Sequence, residues 1–560
     1  MIENLAVFGV LAVLVIVLAA WLSPRLGVAT PVLLVLVGIA VSFIPGAPEL
    51  AINPEVILTI VLPPLLYSAA VNVPLREFRR NVRPIAFLSV GLVIVSALAC
   101  GAFLWWLVPG LGLAPAIAIG AVISPPDAVA ATSIAKRLGL PPRLVTVLEG
   151  EGLVNDATAL VLLRTAIAAM ATSVTFWGVV GDFVYKSLVG VLLGLAIGFI
   201  SVRVRSHLDQ PVLTTAISFV VPFLAFFPAE FANASGVLAV VAAGLVTGHE
   251  GARHLSAGDR ISERVNWLTV QLLLENGVFL VMGYQIRLLV LGASHGSLGV
   301  VRSVIYGLAC CLVLLGVRTL MVLPLIASMK REQVRASERA DLYSEAIDRQ
   351  EALPTTDRTR VRTRWLRRKH ADNVFLAEQG LGWRGGAIIA WSGMRGVVTL
   401  AAAQTLPVDI AFRNEAILLA FTVAIVTLIV HGTTLPLAMR ALRVGDAHGS
   451  SGSALHDLSD EIVEAGMALL DDPHLRRADG SAFDADVVAA AKDRGQSLRD
   501  SLQTGDPDDV LAQKLELRRL VLNAQQDALL EARALGVHNS EVLARAQRFL
   551  DLQLAVAEGE

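Results

Sequence analysis

The chain has 560 residues, of which 55% are hydrophobic and only 17% are charged, and its formal net charge is −2. A mean hydropathy of +0.65 excludes an ordinary soluble domain of this length and places most of the chain in a lipid bilayer. The three cysteines, Cys100, Cys310 and Cys311, all lie in apolar stretches, so their spacing favours packing over a disulfide framework.

Windows of about 20 apolar residues predict an all-α polytopic membrane protein with about 13 transmembrane helices. The first apolar run, from Leu5 to Leu22, lacks a basic n-region and a small-residue cleavage site, so we interpret it as a retained span. The predicted spans lie near residues 5–22, 29–45, 55–71, 84–108, 113–135, 144–170, 178–202, 211–228, 233–248, 265–286, 301–328, 381–406 and 414–439.

Lysine and arginine occur mainly in alternate loops, after the odd-numbered spans. By the positive-inside rule these loops are cytoplasmic, which predicts an N-terminus outside and a C-terminus inside the plasma membrane. The basic residues of these loops are Arg76, Arg79, Arg80, Arg83, Lys136, Arg137, Arg143, Arg203, Arg205, Arg253, Arg260 and Arg264.

A basic loop at 330–378 separates the eleventh and twelfth spans and is the most basic part of the chain. A juxtamembrane position favours a topology signal with contact to anionic lipid over nucleic-acid binding, and no nucleic-acid partner is expected. Its clustered basic residues are Arg358, Arg360, Arg362, Arg364, Arg367, Arg368 and Lys369.

The composition divides the chain into a transmembrane domain, residues 1–442, and a helical cytoplasmic C-terminal domain, residues 443–560. Leu515, Leu522 and Leu529 recur every seven residues in the second domain, which fits a helical hairpin or a dimerising coiled coil. Its binding partner is not predicted.

The fifth span is interrupted by Ser124-Pro125-Pro126-Asp127. Each proline lacks an N–H, so the carbonyls of the preceding helical turn lose their partners, and transporters bind ions at such helix breaks. Ser124 and Asp127 add side-chain oxygens there. The alternative is a proline kink with an ion-paired aspartate.

Asn155-Asp156 lies near the middle of the sixth span. A carboxylate at membrane depth is rare without a partner or a substrate ion, and Asp156 can hold either a proton or a cation but not readily both. Glu151 is turned about 140° away from Asp156 on an ideal helix, which favours an organising role through a salt bridge or a water. The alternative for Asp156 is a structural pair with an arginine.

Arg395 lies in a glycine-interrupted part of the twelfth span, at Gly393-Met394-Arg395-Gly396. The fifth and twelfth spans are seven steps apart and enter the bilayer from opposite sides, as two inverted six-helix repeats with broken crossing helices require. Arg395 would then offset the carboxylates and the free carbonyl ends as a structural charge. Simple close packing is the alternative for the two glycines.

These features together predict an ion-coupled transporter that uses no cofactor beyond the transported ions. A cation channel would need a ring of oxygens around a continuous pore, and an enzyme would need a nucleophile and base or a zinc motif, none of which stands out. Hard cations prefer oxygen ligands, so Asp156 and Asp127 are the predicted metal-ion ligands.

Four motifs resemble the cation/proton antiporter type 1 family: Ser124 to Ala128, Leu148 to Leu160, Pro63-Pro64-Leu65-Leu66 and Gly393 to Gly396. The resemblance covers nearly all of residues 1–442. It implies a homodimer of 13-helix protomers that exchanges sodium for protons, largely without net charge transfer, with Asp156, Asp127, Asn155 and Glu151 as site residues. Potassium or lithium remains an alternative cation.

Two positions depart from the family pattern. Pro126-Asp127-Ala128 stands where Thr-Asp-Pro is usual, and Gly152 stands where a serine commonly follows the first glutamate. Two hydroxyl ligands are therefore missing, and water or carbonyl oxygens are expected to replace them.

Overall fold

The structure is a computed structural model, and it describes most of the first 444 residues but few residues of the C-terminal part. The described residues are 2–26, 28–44, 54–127, 132, 140–171, 175–208, 210–352, 357–378, 382–408, 410–442, 444, 467–471, 475–476, 481–484, 486–489, 492–493 and 525. The chain divides into two compact units, Met1–Asp446 and Ala447–Glu560. The repeated Leu515, Leu522 and Leu529 of the predicted tail helices lie outside the described residues.

The first unit is built from helices. The bounds are α1 Ile2–Leu26, α2 Thr30–Ser42, α3 Pro54–Asn72, α4 Leu75–Arg80, α5 Val82–Leu107, α6 Leu113–Ile123, α7 Pro142–Ala171, α8 Phe176–Arg205, α9 Pro211–Phe231, α10 Gly236–His254, α11 Ala257–Tyr284, α12 Ile286–Ser294, α13 Gly299–Glu351, α14 Asp357–Glu378, α15 Trp383–Trp391, α16 Val397–Gln404 and α17 Arg413–Leu442. Among the described residues no β-sheet forms, and one isolated bridge joins Arg476 to Ala482.

The predicted all-α polytopic fold is confirmed. Within the described residues, nine helical segments are long and apolar enough to span a membrane, and three shorter apolar helices accompany them. The broken pair α15 and α16 occupies the position of the remaining predicted span. Each of the 13 apolar windows therefore coincides with a helix, a pair of helices, or a helix that ends at a break.

The loop at 330–378 is mainly helical. Helix α13 continues 22 residues beyond Met329 to Glu351, and α14 returns alongside it, so that Gln333 donates a hydrogen bond to the carbonyl of Ala377. The clustered basic side chains of α14 are exposed. Sequence patterning identified this segment only as a basic loop, because its helices have no long apolar stripe.

Two of the three apolar clusters define two groups of helices, the two bundles, and the third cluster packs α1, α2 and α11 against α7, α13, α15 and α17. One cluster joins α5, α6, α13, α16 and α17 with the second half of α7, whereas the other joins α3, α9 and α10 with Leu153 and Ala157 of α7 and Trp267 of α11. Helix α7, which contains the Asn-Asp pair, therefore lies between the two bundles.

Close backbone approach within the second bundle depends on small residues. A Cβ atom built at Gly190, Gly194 or Gly198 of α8 would collide with backbone oxygens of α10, so only glycine permits this helix contact. Helices α8 and α10 are thus packed backbone against backbone.

Candidate cation and proton site

Two broken helices meet at the predicted site. Helix α6 ends at Ile123, directly before Ser124 and the two prolines, and α15 ends at Trp391, five residues before α16 begins. The backbone N–H of Asp127 donates to the carbonyl of Met394 over 2.6 Å, which joins the first break to the second. Neither break is a simple kink, because residues 124–127 and 393–396 leave the helical conformation at the crossing.

Gly396 allows this crossing because its α-carbon lies against the carboxylate of Asp127. A Cβ atom at position 396 would overlap that carboxylate. The glycine therefore permits the close approach of the two chains, and it lines the cavity next to Asp127.

Arg395 binds the carbonyl end of the first broken helix. Its guanidinium donates to the carbonyls of Ile123 at 3.1 Å, Ser124 at 3.3 Å and Gly393 at 2.5 Å. A cation is favoured at a helix C-terminus because the last carbonyls lack partners and carry the negative end of the helix dipole. Such contacts are those expected of a structural charge, the role that the sequence predicted for Arg395.

The predicted free carbonyls need a correction. The carbonyl of Ala121 accepts a hydrogen bond from the Ser124 hydroxyl at 3.0 Å, and Arg395 occupies the next exposed carbonyls along the chain. The serine hydroxyl is directed to its own helix, and Ser124 does not line the cavity described below. Ser124 and Arg395 therefore donate hydrogen bonds to carbonyl oxygens that would otherwise be available to an ion.

Arg318 performs the matching role at the second break, and sequence reasoning missed it. Its Nε donates to the carbonyl of Ile389 at 2.9 Å, in the last turn of α15, and its two terminal nitrogens bind both carboxylate oxygens of Glu151 at 2.6 and 2.9 Å. Such a bidentate geometry is the strongest arrangement for an arginine and a carboxylate. Glu151 thus ties α7 to α13 and α15.

Asn155 joins α7 to the first break. Its side-chain amide donates to the carbonyl of Pro126 at 2.5 Å, while its Oδ1, fully buried, has no hydrogen-bond partner among the described residues. The amide therefore holds the non-helical segment 124–127 against the helix that contains Asp156.

A cavity of about 440 Å³ reaches Asp127 and Asp156. It runs along α7 from Glu149 through Gly152 and Leu153 to Asp156 and is closed on the other side by α3 and α11. Glu151, Asn155, Ser124 and Arg395 do not line it. The polar or charged residues that line it are Asn72, Asp127, Thr132, Glu149, Asp156, Arg264, Gln271, Glu275 and Thr399.

The two aspartates are the predicted residues that the structure places at the cavity. Within the described parts of the chain, no group of three His, Cys, Asp or Glu side chains is arranged to hold a metal ion. A small hard cation would meet the carboxylates of Asp127 and Asp156, with Thr132 and Thr399 as the hydroxyls of the lining.

Crossed broken helices, a buried arginine bound to the carbonyl end of each, and a cavity that stops at two carboxylates define a secondary transporter for a small cation. The chain belongs to the transmembrane sodium/hydrogen exchanger family, whose sequence profile matches residues 12–441. Its first unit is thus a multi-pass membrane transporter.

Relatives support this assignment. The chain is 30% identical to an uncharacterized Na(+)/H(+) exchanger of Mycobacterium bovis, over 98% of this chain and 96% of that one. It is 28% identical to the low-affinity Na(+)/H(+) antiporter NhaS1 of Synechocystis, over 74% and 70% of the two chains. The fold is similar to that of the sodium proton antiporter MjNhaP1 of Methanocaldococcus jannaschii, with a TM-score of 0.57, 16% identity, and coverage of 80% of this chain and 99% of that one.

Proposed function

We propose that this protein exchanges protons for sodium ions across the plasma membrane, one for one, and so controls internal pH and sodium. The cavity that ends at Asp127 and Asp156, at the crossing of the two broken helices, is the observation on which this proposal depends. Two relatives are named as Na(+)/H(+) antiporters, which supports sodium as the exchanged cation.

Competition at Asp156 supplies the coupling in this mechanism. The carboxylate releases a proton into the cavity, binds a cation there, and is neutral overall in both loaded forms. An empty, charged carboxylate crosses poorly because an unpaired charge in hydrocarbon is costly. Since only the protonated or cation-bound forms move, each cation is exchanged for a proton.

Alternating access requires one bundle to move against the other. The bundle of α5, α6, α13, α16 and α17 contains both breaks, and it would move with α7 along the face formed by α3, α10 and α11. Glu151, Arg318 and Arg395 are proposed to keep the site rigid during this movement rather than to bind the ion.

The basic loops place the N-terminus outside and residues 443–560 in the cytoplasm. In this orientation the cavity opens inwards, because Asn72 and Arg264 at its lining adjoin the loops with Arg76 and Arg260. The family resemblance further supports a homodimer, and the C-terminal domain is proposed to regulate exchange. No cofactor is required.

Everted membrane vesicles with a fluorescent pH indicator test this function. Sodium added to vesicles with the wild-type protein should release the imposed proton gradient, whereas Asp156→Asn should show no release, because the amide neither titrates nor replaces the carboxylate charge. Asp182→Asn, an exposed change on α8 away from the cavity, is the control and should retain full exchange. Normal exchange by Asp156→Asn would remove Asp156 from the mechanism.

A further inference from the structure

One face of α11 forms the wall of the cavity opposite Asp127 and Asp156. Arg264, Leu268, Gln271 and Glu275 all line the cavity, and their spacing of four, three and four residues places them in one stripe along the helix. Glu275 is the innermost of the four, near the middle of the span predicted at 265–286. This side chain was not singled out from the sequence.

No protein cation neutralises Glu275 among the residues that the structure describes. Ion pairs are found for the buried carboxylates of Glu151 and Glu263 but not for Glu275. A carboxylate at membrane depth without an arginine or lysine partner is rare unless it serves a mobile ion. Its exposure to a cavity of about 440 Å³ gives a cation direct access to it.

Two side chains orient this carboxylate. Gln271 donates to the carboxylate of Glu275 through a long hydrogen bond of 3.5 Å, and the amide oxygen of Gln271 accepts from the hydroxyl of Ser68 on α3 at 3.2 Å. Ser68 is almost fully buried, at 1% exposure. Because α3 and α11 both belong to the fixed side, the carboxylate of Glu275 stays with the wall when the opposite bundle moves.

The charges that line the cavity are mainly negative. Asp127, Glu149, Asp156 and Glu275 face one basic residue, Arg264, between apolar walls formed by leucines of α3 and α11. A cleft with low-dielectric walls and one sign of charge focuses its field and raises the local concentration of the opposite ion. The carboxylates do not converge on one point in this arrangement, so Glu275 acts from across the cavity.

We propose that Glu275 is a cation-binding residue of the fixed wall, which holds the incoming cation opposite Asp127 and sets the apparent affinity for it. This assignment rests on the proposed exchange function. Asp156 remains the group that alternates between proton and cation, whereas Glu275 attracts the cation and delivers it. Its loss should therefore weaken cation binding without stopping turnover.

The variant Glu275→Gln keeps the size and the hydrogen bond of the side chain but removes its charge. In liposomes at fixed pH, we expect the KM for sodium to rise about tenfold while the maximal rate stays within about twofold of wild type. Titration of the purified protein with sodium chloride should show the same rise in Kd. Glu275→Asp, which retains the charge, should recover most of the affinity.

A second variant makes the test independent of folding at position 275. Gln271→Leu removes the orienting hydrogen bonds but leaves the carboxylate, and we expect the KM for sodium to rise about threefold. Glu345→Gln, an exposed change on α13, should leave both constants unchanged.

Unchanged KM and Kd in a folded Glu275→Gln protein would overturn the assignment, as would an unchanged KM in Gln271→Leu if Glu275→Gln does not fold. A lower maximal rate of Glu275→Gln with an unchanged Kd for sodium would also overturn the assignment, because a purely structural role gives that pattern. Absence of exchange in the wild-type protein would instead contradict the proposed function itself, so the two failures can be distinguished.

Discussion

Glu151 and Arg318 form an ion pair at membrane depth, with side chains only 2% and 3% exposed. Removal of one partner leaves an uncompensated buried charge and costs roughly 3–5 kcal/mol, whereas apolar replacement of both partners is often close to neutral. We expect Glu151→Gln and Arg318→Met each to destabilise the purified protein by this order, and Glu151→Met/Arg318→Met to recover most of the loss. Thermal unfolding in detergent measures the change in stability of each of the three variants relative to wild type.

An exposed pair on the same long helix provides the control. Arg349 and Glu345 are 2.9 Å apart, with side chains 79% and 63% exposed, so Glu345→Gln should change stability by less than about 0.5 kcal/mol. If the two single losses at Glu151 and Arg318 simply added in the double variant, the pair would not be coupled and this reading of the site would be wrong.

Charge in an apolar span is a signal that sequence alone provides, and it identified Asp127, Asp156 and Arg395. Arg318 and Glu275 carry the same signal, inside the spans predicted at 301–328 and 265–286. Sequence could not show which charge meets which, because the partners are 167 residues apart for Arg318 and Glu151. Helix geometry did separate Glu151 from Asp156, and the structure gives Glu151 a salt bridge outside the cavity.

At the scale of elements, the hairpin of α13 and α14 is fastened to α4, the short helix between α3 and α5. Asp372 on α14 accepts a hydrogen bond from Arg80 Nε at 2.6 Å and from Arg76 at 3.3 Å, and Arg80 lies 4.7 Å from the ring centre of Phe375. Partial burial alone would raise the pKa of Asp372, but the two arginines outweigh it and hold that pKa below its ordinary value. The carboxylate is therefore charged throughout the physiological range.

This depressed pKa determines the pH window of the contact. The stabilising effect of the Asp372 carboxylate is complete above its unfolded-state pKa and is lost only as pH falls through the lower folded-state pKa. The protection factors of α14 amides, which compare each exchange rate with the intrinsic rate at the same pH, should therefore stay constant between about pH 8 and about pH 5, since both pKa values lie below that range. Asp372→Asn should raise exchange near residues 370–378 at every pH in the range.

Glu351→Gln is the control for the hairpin, because Glu351 pairs with Arg367 in an exposed contact, and α14 should keep its protection near Asp372. Protection that falls with acidification in the wild-type protein would show that another group, not Asp372, governs docking. The regulation of exchange by pH would then have to be sought in the hairpin as well as at Asp156.

The elements differ in how far the sequence determines them. Bilayer thickness sets the length of an apolar run, so all 13 spans could be located, and Pro125-Pro126 specifies the break after Ile123 through the missing N–H groups. The hairpin has no such constraint, since its two helices are stabilised by mutual packing and by distant contacts such as Arg80 with Asp372. The sequence pattern therefore predicted that the segment is basic, but not that it forms a helical hairpin.

At the scale of the whole membrane unit, the cavity and a salt bridge lie on opposite sides of Asp156. The cavity follows α7 from Glu149 to Asp156, whereas Arg164 lies eight residues further on, about 12 Å along the helix, where it binds Glu230 of α9 at 3.0 Å. The pair joins α7, which would move in the proposed mechanism, to α9 of the opposite bundle, beyond the end of the cavity.

Loss of this pair should favour opening to the outside. Because the two side chains are 53% and 27% exposed, the pair contributes only about 0.2–1 kcal/mol, which limits the change in the ratio of the two states to about fivefold. We expect Glu230→Gln to raise the outside labelling rate of Leu160→Cys by up to that factor, measured with a membrane-impermeant thiol reagent. The protein without Leu160→Cys gives the background from its three natural cysteines.

Asp182→Asn is the matched control for this last experiment. It breaks a salt bridge of 2.6 Å between Asp182 and Lys186, but both partners belong to α8, so the two bundles lose no contact and the labelling rate should stay at the wild-type value. A rise in labelling with Asp182→Asn as large as that with Glu230→Gln would reflect general loosening of the fold. An unchanged rate with Glu230→Gln would mean that apolar packing alone closes the outer side, with the cavity at Asp156 held inward without help from the Arg164 pair.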